Sequence, residues 1–179
     1  MPQHNNRYSF NAEQLHDLSS SGAAELFKDI LGRALSLRVR VTGNSMAPFL
    51  NGGEMLTVRK VRTSSLRIGD LIFCRTRDNS LLLHRIVAKR VKDGSLVFQT
   101  KGDALFSLDE PVCESDILGK VCRVEKLLSD GRTKQIDTET SIWKAVNYLQ
   151  AMISLGRSKI NTLLRSCLSL GRIIRRVFL

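Results

Sequence analysis

Three segments of this sequence carry side chains suited to nucleophilic catalysis. Ser45 lies between Gly43 and a proline, in a stretch where a tight turn can present a hydroxyl beside backbone N–H groups. His84 lies in an apolar run, where a buried imidazole needs a partner, and a neutral imidazole suits proton transfer from serine. Asp103 and Asp109 follow, and from the residues alone either carboxylate could orient the histidine.

Each of these segments also has an ordinary structural interpretation. A serine beside glycine and proline is common turn chemistry, and a histidine in a strand can be a hydrogen-bonded core residue. The Gly102-Asp103 pair is typical of turns, and Asp109 can belong to a solvated loop. Catalysis is favoured only by the presence of all three segments together.

Alternating apolar residues predict strands around the candidate site. Leu37, Val39 and Val41 alternate with polar residues, which predicts a half-buried strand directly before Ser45. Turn-forming residues separate the further strand candidates, which are residues 55–61, 70–76, 81–91, 96–100 and 117–126. Short strands joined by tight turns predict a mainly β fold, either a small antiparallel barrel or a folded sheet.

Helical patterns flank the β region on both sides. Residues 10–33 predict N-terminal helices, the first of them capped by Asn11. Residues 142–177 place apolar side chains at steps of three and four, which predicts a long amphipathic helix that can break at Gly156 or Gly171. The predicted units are an N-terminal helical arm (1–35), a β domain (36–130) and a basic helical tail (139–179).

The charge of the chain is concentrated in this tail. Of the formal net charge of +11, residues 141–179 supply +7, because they contain seven basic residues and no acidic one. An apolar stripe with basic residues around it is typical of helices that lie on anionic membranes, so we expect a membrane surface as partner and no nucleic acid. Packing of the helix on its own domain or against a second copy remains an alternative.

The cysteines and the absence of apolar runs bear on cofactors and location. The four cysteines have no metal-binding spacing, so we expect reduced, mostly buried thiols and no metal or cofactor. No secretory signal or membrane-spanning segment is predicted. We therefore expect a cytoplasmic protein, with peripheral attachment to the inner face of the membrane through the tail.

A series of short motifs occurs in order between residues 37 and 125. They are Ser45-Met46-Ala47-Pro48, Gly53-Glu54, Gly69-Asp70, His84-Arg85-Ile86, Thr100-Lys101-Gly102-Asp103 and Leu118-Gly119-Lys120-Val121. Together they resemble the type I signal peptidase family, in its Ser–His branch. The sequence departs from the family at Glu54, where aspartate is usual, and at Leu105, where asparagine is usual. The family's N-terminal membrane anchor is not evident in residues 1–35, and the basic tail is not a standard family part.

The resemblance implies the family's β fold and a serine endopeptidase that cleaves a peptide or preprotein after small residues. It implies that Ser45 is the nucleophile, His84 the general base and Asp109 the third catalytic residue. Asp103 would support the loop. The N–H groups of Ser45 and Gly43 would stabilise the oxyanion.

Two other functional classes stay open at this point. The same superfamily includes self-cleaving repressors, which use a Ser–Lys dyad behind a DNA-binding domain. Here Lys89 is the nearest lysine on the strand of His84, and residues 1–35 are short for a helix-turn-helix domain. The other class is a non-catalytic binding module that associates with a membrane surface or DNA.

Overall fold

The computed structural model describes residues 8–9, 20–33, 36–128 and 130–177, with side chains described between residues 22 and 161 of these ranges. The strands are β1 (Tyr8–Ser9), β2 (Leu37–Arg40), β3 (Met55–Arg59), β4 (Leu71–Arg75), β5 (Leu81–Lys92), β6 (Ser95–Lys101), β7 (Val112–Cys113), β8 (Ile117–Leu127) and β9 (Thr133–Asp137). The helices are α1 (Ser20–Arg33) and α2 (Ser141–Val177). The helical segment predicted to follow Asn11 lies outside the described residues.

All the strands join one sheet in the order β1-β2-β3-β8-β4-β5-β6-β7, and β9 pairs with β8. Every pairing is antiparallel except that of β1 with β2. Strand β8 pairs with β3 along one edge, while β4 and β9 share its other edge. The predicted mainly β, antiparallel architecture is confirmed, but the sheet is open and forms no barrel over the described residues.

The six predicted strands all form, and their ends lie within two residues of the predicted positions. In β2, for example, Leu37 and Val39 are buried while Arg38 and Arg40 are not, as the alternation indicates. Three strands were not predicted. They are β1, the two-residue β7, and β9, in which only Ile136 is buried.

The core divides between the two faces of the sheet. Alternation along β4 puts Leu71 and Phe73 into a larger cluster, which α1 covers, and Ile72 and Cys74 into a smaller one. Phe27 of α1 packs on Phe73 with ring centroids 4.8 Å apart. These contacts orient β4, and through it the neighbouring strand β5.

Most of the described free thiols are buried, as expected. Cys74 and Cys122 are buried, and desolvation raises the pKa of Cys74 to about 12, which keeps this thiol protonated. Cys113 is exposed at β7. The side chain of Cys167 lies outside the described residues.

Helix α2 runs without a break past Gly156 and Gly171. It packs against the sheet domain through Asn147, Ala151 and Ser154, which are buried. The described part of this helix therefore packs on its own domain, as one of the alternatives predicted, through these polar and small residues together with Trp143. No helix in the described part of the chain is long and apolar enough to cross a membrane.

Gly69 sets how closely α2 approaches the sheet. Its φ is +98°, and a Cβ atom added there would lie 2.7 Å from the backbone nitrogen of Tyr148 and 2.8 Å from the carbonyl carbon of Asn147. A contact between two backbones leaves no side chain that could move aside. Glycine at this position thus allows α2 to lie directly on the turn before β4.

We predict that Gly69→Ala destabilises the protein more than Gly94→Ala does. Both glycines have positive φ, which costs alanine about 1–2 kcal/mol, but a Cβ atom at Gly94 would meet nothing within 4 Å. Overpacking against α2 adds about 1–3 kcal/mol at Gly69. Urea denaturation of both variants measures the difference, and equal losses of stability would contradict the close packing of α2.

Candidate active site

The segment that carries Ser45 is a tight turn that buried side chains anchor to the core. The Ala47 N–H donates to the Asn44 carbonyl over 3.1 Å, and the Leu50 N–H donates to the Met46 carbonyl over 2.9 Å. Met46 and Leu50 are buried in the larger core cluster, while Ser45 itself is partly exposed. The packed anchors fix the backbone, so the hydroxyl is held at the surface in a defined position.

His84 lies in β5 and is held from both ends of its imidazole ring. Its Nε2 atom lies 3.1 Å from Ser45 Oγ, and its Nδ1 atom lies 2.6 Å from Asp109 Oδ2. The side chain of His84 is 3% exposed and that of Asp109 is 17% exposed. The structure thus brings together three residues that are far apart in the sequence.

Further hydrogen bonds hold Asp109 in this position. Thr100 Oγ1 donates to Asp109 Oδ2 over 2.8 Å, and the Asp109 N–H donates to the Thr100 carbonyl over 3.0 Å. A carboxylate that accepts from a hydroxyl is suited to accept the Nδ1 proton of His84 as well. That assignment leaves the Nε2 lone pair of the imidazole directed at the hydroxyl of Ser45.

Gly102 lies where the loop from β6 meets the serine turn. A Cβ atom at this position would lie 2.8 Å from His84 Nε2 and 2.8 Å from the Ser45 carbonyl oxygen. Two residues on, the Ala104 N–H donates to the same carbonyl over 2.9 Å. Gly43 is exposed, and a Cβ atom there would meet nothing within 4 Å. The loop therefore closes on Ser45, while Gly43 is exposed.

Asp103 has a different partner from Asp109. Arg85 donates from Nε to Asp103 Oδ1 over 2.9 Å and from Nη2 to Asp103 Oδ2 over 2.7 Å, and both side chains are fully buried. Arg85 also donates from Nη1 to the Gly69 carbonyl and to Asn147 Oδ1, over 2.9 and 3.0 Å. The structure therefore places Asp103 in a buried ion pair that joins β5, the loop after β6 and helix α2.

Lys101 makes a second buried contact with α2. Its ammonium group donates to the Gly102 carbonyl and to Ser154 Oγ. Burial lowers the pKa of Lys101, because desolvation disfavours the charged form. Asn147 and Ser154 were not identified as functional from the sequence. Their spacing of seven, on the side of the helix opposite the apolar residues, was the signal that could have indicated them.

Phe49 links the serine turn to the same helix. The guanidinium of Arg85 lies 4.6 Å from the centroid of the Phe49 ring, and the Trp143 ring packs edge-on at 6.3 Å. Helix α2 thus contacts the serine turn through Phe49, and β5 and β6 through Arg85 and Lys101. It supports each of the segments that carry the candidate site.

Lys89, the lysine considered as an alternative base, lies elsewhere. Its ammonium group donates to the carbonyls of Ser64 and Leu66 over 3.0 and 3.1 Å, and it faces the ring of Phe98. The nitrogen in contact with the Ser45 hydroxyl belongs to His84.

The site connects a partly exposed hydroxyl to a buried imidazole and the imidazole to a hydrogen-bonded carboxylate. This arrangement can activate serine as a nucleophile. Neither a protein-family model nor a curated protein matches this chain.

We predict that Asp103→Asn costs far more stability than Asp109→Asn. The first change leaves the Arg85 charge buried without its partner, which costs about 3–5 kcal/mol. The second keeps an amide oxygen to accept from His84 and Thr100 at a partly exposed position, so we expect a loss of about 1 kcal/mol.

Denaturant unfolding of the two variants measures both losses. Equal stabilities of the two variants would contradict the assignment of Asp103 to a structural ion pair and of Asp109 to the imidazole of His84. The double variant Arg85→Met with Asp103→Leu serves as a control. It removes both charges, so it should lose less stability than Asp103→Asn alone.

Proposed function

We propose that this protein is a serine endopeptidase of the signal-peptidase type, which cleaves a peptide or preprotein substrate. The observation that carries the proposal is the line of contacts from Ser45 Oγ through His84 to Asp109, at 3.1 and 2.6 Å. The order of the sequence motifs around these residues supports the same family. The open, mainly β sheet is compatible with the proposal.

In the first step, Ser45 Oγ attacks the carbonyl carbon of the scissile peptide bond. His84 Nε2 accepts the hydroxyl proton as the new C–O bond forms. Asp109 keeps the Nδ1 proton of the imidazole in place and stabilises the imidazolium that results. The negative charge moves to the carbonyl oxygen, where the N–H groups of Ser45 and Gly43 are the proposed donors.

In the second step, the tetrahedral intermediate collapses and the C–N bond breaks. His84 returns its proton to the leaving amine, and the acyl group remains on Ser45. Water then attacks the ester while His84 accepts a proton from it, and His84 passes that proton to Ser45 Oγ as the C–O bond breaks. This releases the acid product and restores the serine. No metal or cofactor enters any of these steps.

The buried position of His84 suits this role. A base that is 3% exposed and fixed by a carboxylate loses little freedom when the substrate binds. The partly exposed serine leaves the nucleophile accessible. The ion pair of Arg85 with Asp103 acts on the reaction through position, since the hydrogen bonds of its side chains go to each other, to the Gly69 carbonyl and to Asn147.

We predict that a fluorophosphonate probe labels the wild-type protein and fails to label Ser45→Ala. His84→Ala should lose labelling by on the order of 10³-fold or more, because it removes the base that activates the serine. In-gel fluorescence after timed exposure to the probe measures the rates. Circular dichroism of each variant establishes that it is folded.

Ser107 provides a matched control in the same loop region. It is exposed, and Ser107→Ala should be labelled at the wild-type rate. Labelling of Ser45→Ala at an undiminished rate would show that another residue is the nucleophile.

We predict that the rate of labelling falls on acidification, because an imidazole accepts the serine proton only in its neutral form. A lysine base would instead give a rate that keeps rising into the alkaline range. Labelling across a pH series, with stability checked at each pH, separates the two bases.

A further inference from the structure

The fully buried residues on the packed side of helix α2 are polar or small, and Trp143 packs beside them. Asn147, Ala151 and Ser154 are buried against the domain, and Asn147 and Ser154 bond to Arg85 and Lys101. A helix on the surface of a domain ordinarily buries its apolar side. The contact between α2 and the domain therefore does not bury the apolar side of this helix.

Those apolar side chains lie on the opposite side of the helix and are 38% to 75% exposed. We name them the apolar stripe: Ile142, Val146, Leu149, Ile153 and Ile160. Leu149 and Ile153 follow the buried Asn147 and Ala151 by two positions, which is a rotation of about 200° around the helix. The stripe consequently faces away from the domain over five turns, and no described part of the chain covers it.

The exposed apolar surface includes the loop beside the helix. Leu105, Phe106 and Leu108 are 38% to 50% exposed in the loop that leads to Asp109. Ser158 Oγ donates to the Phe106 carbonyl, and the Arg157 guanidinium lies 5.5 Å from the Phe106 ring. Helix and loop are thus joined, and both expose apolar side chains.

Charge distinguishes between the occupants that could cover this surface. Residues 141–179 contain seven basic residues and no acidic one. Two copies of such a helix would repel each other along their length, whereas an anionic surface would attract every one of these charges. An apolar stripe on a helix with exclusively basic charge is the pattern of helices that lie in the plane of a membrane interface.

We propose that the apolar stripe, together with the exposed loop at Leu105, Phe106 and Leu108, docks on the surface of an anionic lipid bilayer. The stripe enters the interface between headgroups and acyl chains, and the basic residues contact the lipid headgroups. The polar side of α2 stays bound to the sheet, so the domain that carries Ser45 is held at the membrane surface. This proposal does not depend on the peptidase activity, because binding to lipid requires no catalysis.

The test is flotation of the full-length protein with phosphatidylcholine vesicles, with and without phosphatidylserine. Wild-type protein should float with the anionic vesicles, and less of it should float with neutral vesicles or at high salt. The double variant Leu149→Ser with Ile153→Ser should lose affinity for anionic vesicles by about tenfold or more.

Two controls match these changes elsewhere on the surface. Val91→Ser with Leu127→Ser removes two exposed apolar side chains, 69% and 75% exposed, from the sheet and should float like wild type. Lys159→Glu should weaken flotation with anionic vesicles, whereas Lys92→Glu, the same charge reversal at the end of β5, should weaken it less.

Three results would overturn the proposal. The first is the absence of wild-type protein from floated anionic vesicles, and the second is equal flotation of the stripe variant and its control. The third is a wild-type dimer, detected by light scattering, that the stripe variant abolishes while vesicles have no effect. That result would identify a second copy of the chain as the occupant.

Discussion

Arg85 and Asp103 form an ion pair from which solvent is fully excluded, and each charge depends on the other for its place in the interior. The pair adjoins the candidate site in the sequence, because His84 precedes the arginine and Gly102 precedes the aspartate. When the two charges meet, they bring β5 and the loop after β6 to a set separation. The contact between the histidine and the serine turn depends on that separation.

Helix α2 completes this arrangement by binding the same arginine from the other side. Asn147 accepts from Arg85, Ser154 accepts from Lys101, and Trp143 packs on Phe49 of the serine turn. Contacts of this kind are directional, so they determine the rotation of the helix about its own axis. That rotation turns the apolar stripe outward, which links the construction of the candidate site to the surface that we propose for membrane docking.

Much of the sheet could be predicted from the sequence, because β2 has the alternation of a half-buried strand and turn-forming residues separate the other apolar runs. Strand β9 could not, since polar side chains surround Ile136 and its place depends on pairing with β8. The outward rotation of α2 could not be predicted either. Apolar periodicity indicates the side that a helix ordinarily buries. In α2, the buried partners Arg85 of β5 and Lys101 of β6 determine which side packs on the sheet.

The candidate site shows the same division between local pattern and tertiary contact. The residues alone left Asp103 and Asp109 as equal partners for the histidine, and the family resemblance favoured Asp109. The distinction in the structure comes from Arg85, which pairs with Asp103, while the loop that follows brings Asp109 to the imidazole. No local pattern contains this information, because it depends on which strand lies beside which.

The central claim is that His84 and Asp109 activate the hydroxyl of Ser45. Its most direct test is the site of covalent modification in wild-type protein that has reacted with a serine-directed phosphonate, mapped by tandem mass spectrometry. The arrangement predicts one adduct, on Ser45. This adduct should form on the folded protein and should not form after denaturation. An adduct on another serine, or no adduct on the folded protein, would contradict it.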